Sequence, residues 1–445
     1  MAVRLIESLA TTAELAEVFS DESVLRAMLD FEVALARSQA NCGMIPQAAA
    51  DAISATANSA AFDAPGLAHD ALRAGTLTIP LVKALTETVR ASDPSAAGFI
   101  HWGATSQDVA DTALVLLLKR TQTIFESDLL RLEGALHRLA EKHQNTVMLG
   151  RTLMQPAPPI TFGLKAAGWL GAVRRSRKHL QDSFEQALVV QFGGASGTLA
   201  SLGGHGVDVG RGLAQELELD FPDAPWHTHR DRLAVLVCSC GILTGSLGKI
   251  ARDISLLAQA EVAEAAEPDG PGRGGSSTMP HKRNPTGCSI ALGSAQRVPG
   301  LVATFLSAMV QEHERAVGGW QAEWPTIAAV MQAAGLAIAS MAEVVDGLTV
   351  EEARMRANID ATQGAIFAER AMMLLAGKID RDVAHKLMKE ATQQSVAQGR
   401  SLVDVLSEMP VAVQHIGLKT LHDLAVPEQY LGVAEQFRNN LLSVK

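Results

Sequence analysis

The stretch DTALVLLLKRTQTIFESDLLRLEGALHRLAEKHQNT, residues 111–146, repeats apolar residues at helical spacing, with a single glycine and no proline. A helix of that length exceeds the ~8–20 residues usual in globular domains, so it needs neighbours of similar length to bury it. Four further segments, 160–191, 228–266, 286–316 and 325–347, are also long, low in turn signals and rich in Ala, Gly and Leu. Pro299 is expected to kink the fourth of the five. Five such helices imply a bundle, one expected to be shared between subunits. Before it, short helical segments alternate with breakers at Asn41–Pro46, Asp63–Gly66 and Asp93–Gly98; after residue 350, shorter amphipathic helices are expected at 351–359, 365–377, 380–398 and 401–408. The expected fold class is all-α, with three helical domains: N-terminal 1–112, a central long-helix bundle 113–350, and C-terminal 351–445. No strand-type alternation, internal repeat or low-complexity tail is read.

Composition agrees with helices. Hydrophobic residues make up 47% but aromatics only 4%, with one tyrosine, and small aliphatic side chains favour close helix packing over sheet sandwiches. The net charge of −10 excludes a broad basic face, so no nucleic-acid partner is expected. Cys42, Cys238, Cys240 and Cys288 show neither C-x-x-C nor metal spacing and read as reduced thiols of a cytoplasmic protein. The N-terminal segment contains Glu7, Glu14 and Glu17 and has no signal-peptide core. The uncharged stretch 324–342 holds Pro325 and Gln332 and reads as a bundle helix, so no membrane is expected. Met372 and Met373 read as core.

Function concentrates where helix is least possible. Glu267 to Pro285 holds four glycines and four prolines, two adjacent hydroxyls (Ser276, Ser277) and the groups Arg273, His281, Lys282 and Arg283. Such a loop exposes backbone N–H groups, hinges at Gly274 and Gly275, and suits an anion-binding lid; a crossover with a solvated basic end is the plainer reading. A second irregular segment, QFGGASGTLASLGGHG at 191–206, reads either as a helix connection or as part of the site's enclosure.

Three stretches together, HWGATSQDVADT (101–112), GRTLMQPAPPITFG (150–163) and GGSSTMPHKRNP (274–285), resemble the fumarase/aspartase superfamily in order and spacing. GLKAAGW (163–169), WHTHRDRL (226–233) and HERAVGGWQAEW (313–324) are similar to its carboxymuconate-lactonizing branch. The resemblance implies a homotetramer whose sites each take one motif from three subunits, and chemistry at the carbon β to a carboxylate, with charge developing as an aci-anion. Helices rising ~1.5 Å per residue would separate the motifs within one chain, which agrees with shared sites.

By that resemblance Ser276 transfers the proton, with Ser277 second, and Lys282 stabilises the hydroxyl's oxyanion. Asn284 would hold the loop or a carboxylate, and His281 is counted with the substrate-binding groups. Thr105 and Ser106 match a carboxylate-binding pair, with His101 nearby either as a structural histidine or a site residue. Thr152 and Gln155 match substrate-binding positions, and Arg151 is expected to clamp a carboxylate. Arg315 is expected on a third carboxylate or in a surface ion pair with Glu312 or Glu314. His227, His229, Arg230 and Arg232 fall where related lyases place substrate-facing groups. Asp108 and Asp111 read as cap and first-turn acids, and Arg174, Arg175, Arg177 and Lys178 as a solvated helix face.

Leu153 is informative. Fumarases and adenylosuccinate lyases typically carry a histidine there to protonate a departing group. Lactonization needs none, because its nucleophile is the substrate's own carboxylate, ionised at neutral pH. The residues therefore point to a cycloisomerase acting on a small tricarboxylate, 3-carboxy-cis,cis-muconate, with a fumarate-releasing lyase of the adenylosuccinate type as the alternative. A catalytically silent helical scaffold is disfavoured by the intact Ser276, Lys282, Thr105 and Gln155. No metal or organic cofactor is implied, since phosphate-loop, dinucleotide and metal-ligand spacings are all missing.

Overall fold

The computed structural model describes residues 5–270, 273–275, 278–279 and 282–443. It is built of helices, and the five long ones run Ser106–Lys142, Phe162–Ala187, Asp231–Leu257, Thr286–Ala308 and Gly319–Asp346. The fourth ends eight residues short of the expected 316 and the fifth starts six residues early; the intervening 309–318 segment carries Arg315 outside any helix. Pro299 and Pro325 lie inside the last two. Asp231–Leu257 and Gly319–Asp346 are apolar and long enough to cross a membrane by composition, yet 61% of the most apolar 18-residue window of each is buried in the fold.

The chain forms two compact units whose boundaries fall inside the long helices. One comprises residues up to 129 with 176–248 and 290–340. In it the Asp21–Asn41 helix starts where the Ser20 hydroxyl accepts from Ser23 N, and buries Leu25, Met28, Leu29 and Phe31. The other comprises 130–175, 249–289 and 341–445. Its C-terminal helices have legible ends: Asp380 accepts from Asp382 N and Val383 N to start Arg381–Gln398, and left-handed Gly399 stops it. Their apolar faces meet in one cluster around Leu375, Leu387, Leu402, Leu406 and Leu421. Met372 packs against that cluster, whereas Met373 is exposed, contrary to its reading as core.

The expectation of no strands is overturned in this second unit. Val147–Thr152 pairs antiparallel with Gln155–Thr161, and Ala265–Ala266 pairs with Thr349–Val350. The longer hairpin was hidden by Pro156, Pro158 and Pro159, which remove ladder donors and are tolerated only at strand edges or bulges. Its register slips between Leu149 and Gly150, leaving Pro158 as the extra residue. A Cβ on Gly150 would lie 2.5 Å from the Pro158 carbonyl oxygen, so glycine is required at the bulge. The buried ends Val147 and Leu149 anchor the hairpin on Ile359, Ile366 and Phe367.

Candidate active site

In the first unit the site is built on the start of the Ser106–Lys142 helix. Asp108 reaches back to the Thr105 N–H at 3.0 Å, as a capping acid should. It does more than cap. Its carboxylate is fully buried and also accepts from Gly193 N (3.1 Å), Gly194 N (2.9 Å) and pairs with His227 Nε2 (2.7 Å). One side chain therefore ties the first motif to the glycine-rich 191–206 segment and to the 226–230 turn. Gly194 sits at φ +67°, and a Cβ there would lie 2.8 Å from the Gly103 carbonyl oxygen.

Asp111, one turn on, is likewise buried and does more than a first-turn acid. It receives Arg230 through both terminal nitrogens (2.7 and 3.0 Å), Trp320 Nε1 (3.0 Å), Gln107 (3.1 Å) and Gln191 (3.2 Å). Arg230 also gives its Nε to Glu323 at 2.8 Å and lies over the Trp226 ring at 4.7 Å. Arg230 and His227 are thus interior supports, correcting the expectation that they face substrate. Burial disfavours the charge on Arg230, but Asp111 and Glu323 together outweigh it and raise its pKa. Burial raises the Glu323 carboxyl, against the pull of Arg230.

Arg315 pairs with neither Glu312 nor Glu314 through its side chain. Its guanidinium donates to Thr105 Oγ1 (2.6 Å), Gly194 O (3.2 Å) and Ala195 O (3.0 Å). Its cation is spent on fastening the two loops, and Thr105 is held by it. His101 has φ +58°, an unfavoured conformation for a non-glycine residue that costs ~1–3 kcal/mol. The Glu32 carboxylate, 1% exposed, takes both the His101 backbone N–H (3.1 Å) and Nδ1 (2.6 Å). Burial lowers the His101 pKa, but Glu32 and Asp108 overcome this and raise it. Ser106 opens the long helix, its carbonyl accepting from Thr78 Oγ1.

In the second unit, the second motif is the exposed tip of the hairpin. Thr152 and Gln155 form the last pair, and Leu153 and Met154 close the turn at φ +48° and +66°.

 
The Leu153 and Met154 side chains are 96% and 69% exposed there, an apolar pair with no cover inside this chain's own unit. Arg151 does not stand free as a carboxylate clamp: its two terminal nitrogens bind both oxygens of buried Glu264 at 2.8 and 2.6 Å, and Asn358 Nδ2 adds a third donor at 2.7 Å. Arg151 and Asn358 border an open cleft of about 590 Å³ that Met154, Gln155 and Thr362 also line. Lys165, at the start of the Phe162–Ala187 helix, reaches Asp253 only at 3.9 Å, while Trp169 Nε1 donates to the same oxygen at 2.9 Å. Burial lowers the Lys165 pKa, with Asp253 pulling the other way.

The third motif leaves the same unit as a loop closed at its neck. Glu267 accepts from Gly287 N (3.0 Å) and Cys288 N (2.7 Å), capping the Thr286–Ala308 helix with the residue that begins the loop. Asn284 holds the loop: its N–H donates to Gly274 O at 2.9 Å and its Nδ2 to Gly275 O at 3.4 Å. Arg273 pairs with Glu343, and Arg283 with Asp269 at 2.9 Å. Lys282 is exposed. Ser276, Ser277 and His281 lie outside the described residues. Among the described residues no group of three or more His, Cys, Asp or Glu side chains is arranged to hold a metal ion.

Comparison with known proteins gives the family of the chain. Residues 8–300 match a family model described as lyase, and residues 364–440 one described as adenylosuccinate lyase C-terminus. The chain is 46% identical to the 3-carboxy-cis,cis-muconate cycloisomerase of Bradyrhizobium diazoefficiens, covering 98% of this chain and 97% of that one. It superposes on the crystal structure of the 3-carboxy-cis,cis-muconate lactonizing enzyme from Pseudomonas putida with a TM-score of 0.93 at 43% identity, over 99% and 98% of the two chains. The chain belongs to the fumarase/aspartase lyase family. That family also holds a nitrosuccinate lyase of Streptomyces davaonensis, 40% identical over 93% of this chain and 89% of the relative.

For a lyase of this family, sequence reading found the three motifs but not their supports. Glu32 and Glu264 went unnoticed because an acid inside an amphipathic helix or beside a short strand has no local signature. Lys165 lay within a quoted segment, and only its half-buried position marks it out. Of the run at 174–178, Arg175 and Lys178 are exposed as expected, whereas Arg174 and Arg177 are half-buried; Arg174 donates to the Leu441 carbonyl and Arg177 to Glu126.

Proposed function

We propose that this enzyme closes 3-carboxy-cis,cis-muconate into a carboxymuconolactone. The observation that carries the reading is near-full-length similarity to cycloisomerases combined with Leu153, an aliphatic residue at the hairpin tip. A substrate carboxylate oxygen bonds to the β-carbon of a double bond, the electron pair moves toward the neighbouring carboxylate, and the α-carbon receives one proton. Nothing leaves, so one proton-transferring group suffices and no histidine is required at position 153. Ser276 carries that proton and Lys282 stabilises its oxyanion, with Ser277 as the substitute; Ser106, Thr152, Gln155 and His281 bind the substrate. Preorganised donors around the developing aci-anion are worth ~3–4 kcal/mol each.

The working enzyme is a homotetramer in the cytosol, serving protocatechuate breakdown. The uncovered apolar tip of the hairpin supports shared sites, since exposed apolar groups on a functional motif call for cover by another copy. The four cysteines are free, which supports a reducing compartment. The test is direct: purified, metal-free protein should bleach the diene absorbance of 3-carboxymuconate, and Ser276→Ala should abolish this without altering the oligomer. No bleaching sinks the reading. The match of residues 364–440 to the adenylosuccinate lyase C-terminus favours a second reading, a fumarate-releasing lyase, which release of fumarate from adenylosuccinate would establish.

A further inference from the structure

Glu32 touches no motif in sequence, yet it spends its whole carboxylate on one residue of the site. It lies within the Asp21–Asn41 helix and is 1% exposed, and both its oxygens bond to His101, one to the backbone N–H (3.1 Å) and one to Nδ1 (2.6 Å). Two bonds to atoms on either side of Cα fix the ring's direction and hold the residue at φ +58°. Two neighbouring polar groups of the motif are already engaged, Thr105 with Arg315 and Asp108 with His227. Nε2 of His101 has no partner among the described residues, while the side chain stays 19% exposed.

We propose that Glu32 is a positioning residue that presents His101 as a fixed imidazolium, its Nε2–H donating to a carboxylate of the bound substrate without giving up its proton. This rests on the tricarboxylate reading above. The charged groups facing His101 are Glu32 from the Asp21–Asn41 helix and Asp108 from the Ser106–Lys142 helix, both anionic. An isolated histidine would lose its charge near neutrality, whereas one held between two carboxylates keeps it. The arrangement makes His101 a binding cation and leaves proton transfer to another group.

The experiment compares wild type with Glu32→Gln and His101→Asn as whole, assembled enzymes. Glu32→Gln should raise KM for 3-carboxymuconate about tenfold, equivalent to ~1.4 kcal/mol, with kcat within about threefold. Its kcat/KM should fall with rising pH at a lower pH than in wild type, because the unclamped ring deprotonates sooner. His101→Asn should show the same KM loss without that pH limb, and combining the two should cost little more than either. Unchanged KM and pH profile in Glu32→Gln would overturn the proposal, as would a kcat collapse at constant KM. Calorimetric binding of propane-1,2,3-tricarboxylate at pH 6.5 and 8.5 separates this from failure of the lactonizing reading. Tenfold weaker binding by Glu32→Gln supports the positioning role even in an enzyme that leaves carboxymuconate unchanged, and equal or no binding by wild type and variant overturns it.

Discussion

Arg230 and Asp111, 119 residues apart in sequence, meet side on through two hydrogen bonds of 2.7 and 3.0 Å, with neither side chain exposed. Glu323 shares the same guanidinium, so one buried cation faces two acids. The pair is an interior brace for the helix start that carries the first motif.

Breaking that brace should be expensive. Removing one member of a buried pair leaves an uncompensated charge, at ~3–5 kcal/mol. Asp111→Ala and Arg230→Met are each expected to lose about that much in urea unfolding. Glu323→Gln should cost under ~1 kcal/mol, since burial already disfavours its charged form and Asp111 still neutralises Arg230. Equal losses in all three would refute the division of labour.

Arg151 supports the hairpin through Glu264. Arg151→Lys keeps the charge but loses the two-pronged geometry and is expected to cost ~1–2 kcal/mol; Arg151→Met, which strands buried Glu264 with Asn358 alone, should cost ~3–5 kcal/mol. Thermal unfolding monitored by circular dichroism would rank them, and a harmless Arg151→Met would show that the hairpin does not depend on the Arg151–Glu264 pair.

The hairpin turn has two non-glycine residues at positive φ, where Asn-Gly is preferred. Leu153→Asn combined with Met154→Gly should relieve ~1 kcal/mol of strain and slow hydrogen exchange across 147–161. The same change should lower kcat/KM more than tenfold by removing the apolar tip. Full activity with slower exchange would mean that the tip has no part in the site.

His143 gives the fold an acid limit. Burial lowers its pKa, Glu352 opposes this, and Nε2 is buried with no partner among the described residues. A histidine whose folded pKa is depressed contributes stability above the unfolded value of ~6.5, and that contribution is lost as pH falls from there through the lower folded value. Stability measured by urea should therefore decline between about pH 7.5 and 5.5, and His143→Gln should flatten the decline. His101 works in the opposite sense, its raised pKa adding stability that is lost as pH rises through the folded value. A slope unaffected by His143→Gln would assign the acid limit to other groups.

The long helices were legible because each forms from bonds between residues four apart, and an apolar stripe declares it. The Arg381–Gln398 helix could be bounded almost to the residue, since Asp380 and Gly399 are local signals. The hairpin was not legible: three prolines argue against strand, and the bulge that accommodates them exists only once both strands are paired. Asp108 and Asp111 were read as capping acids because that is what an acid near a helix start does by default. Asp108 does cap, through the Thr105 N–H, but the further partners of the two acids, His227, Arg230 and Trp320, lie more than a hundred residues away.

The amino-acid sequence alone determined the helical class, the loop that breaks it, the three motifs and the absence of an ionisable group at position 153. These depend on local backbone preference and on residue identity. Tertiary structure decided which charges are available. It committed Arg151 to Glu264, spent Arg315 on Thr105 and two backbone carbonyls, and gave His101 its partner in Glu32. A charged group's role depends on what lies within a few ångströms and on whether water reaches it, and only the folded chain sets either.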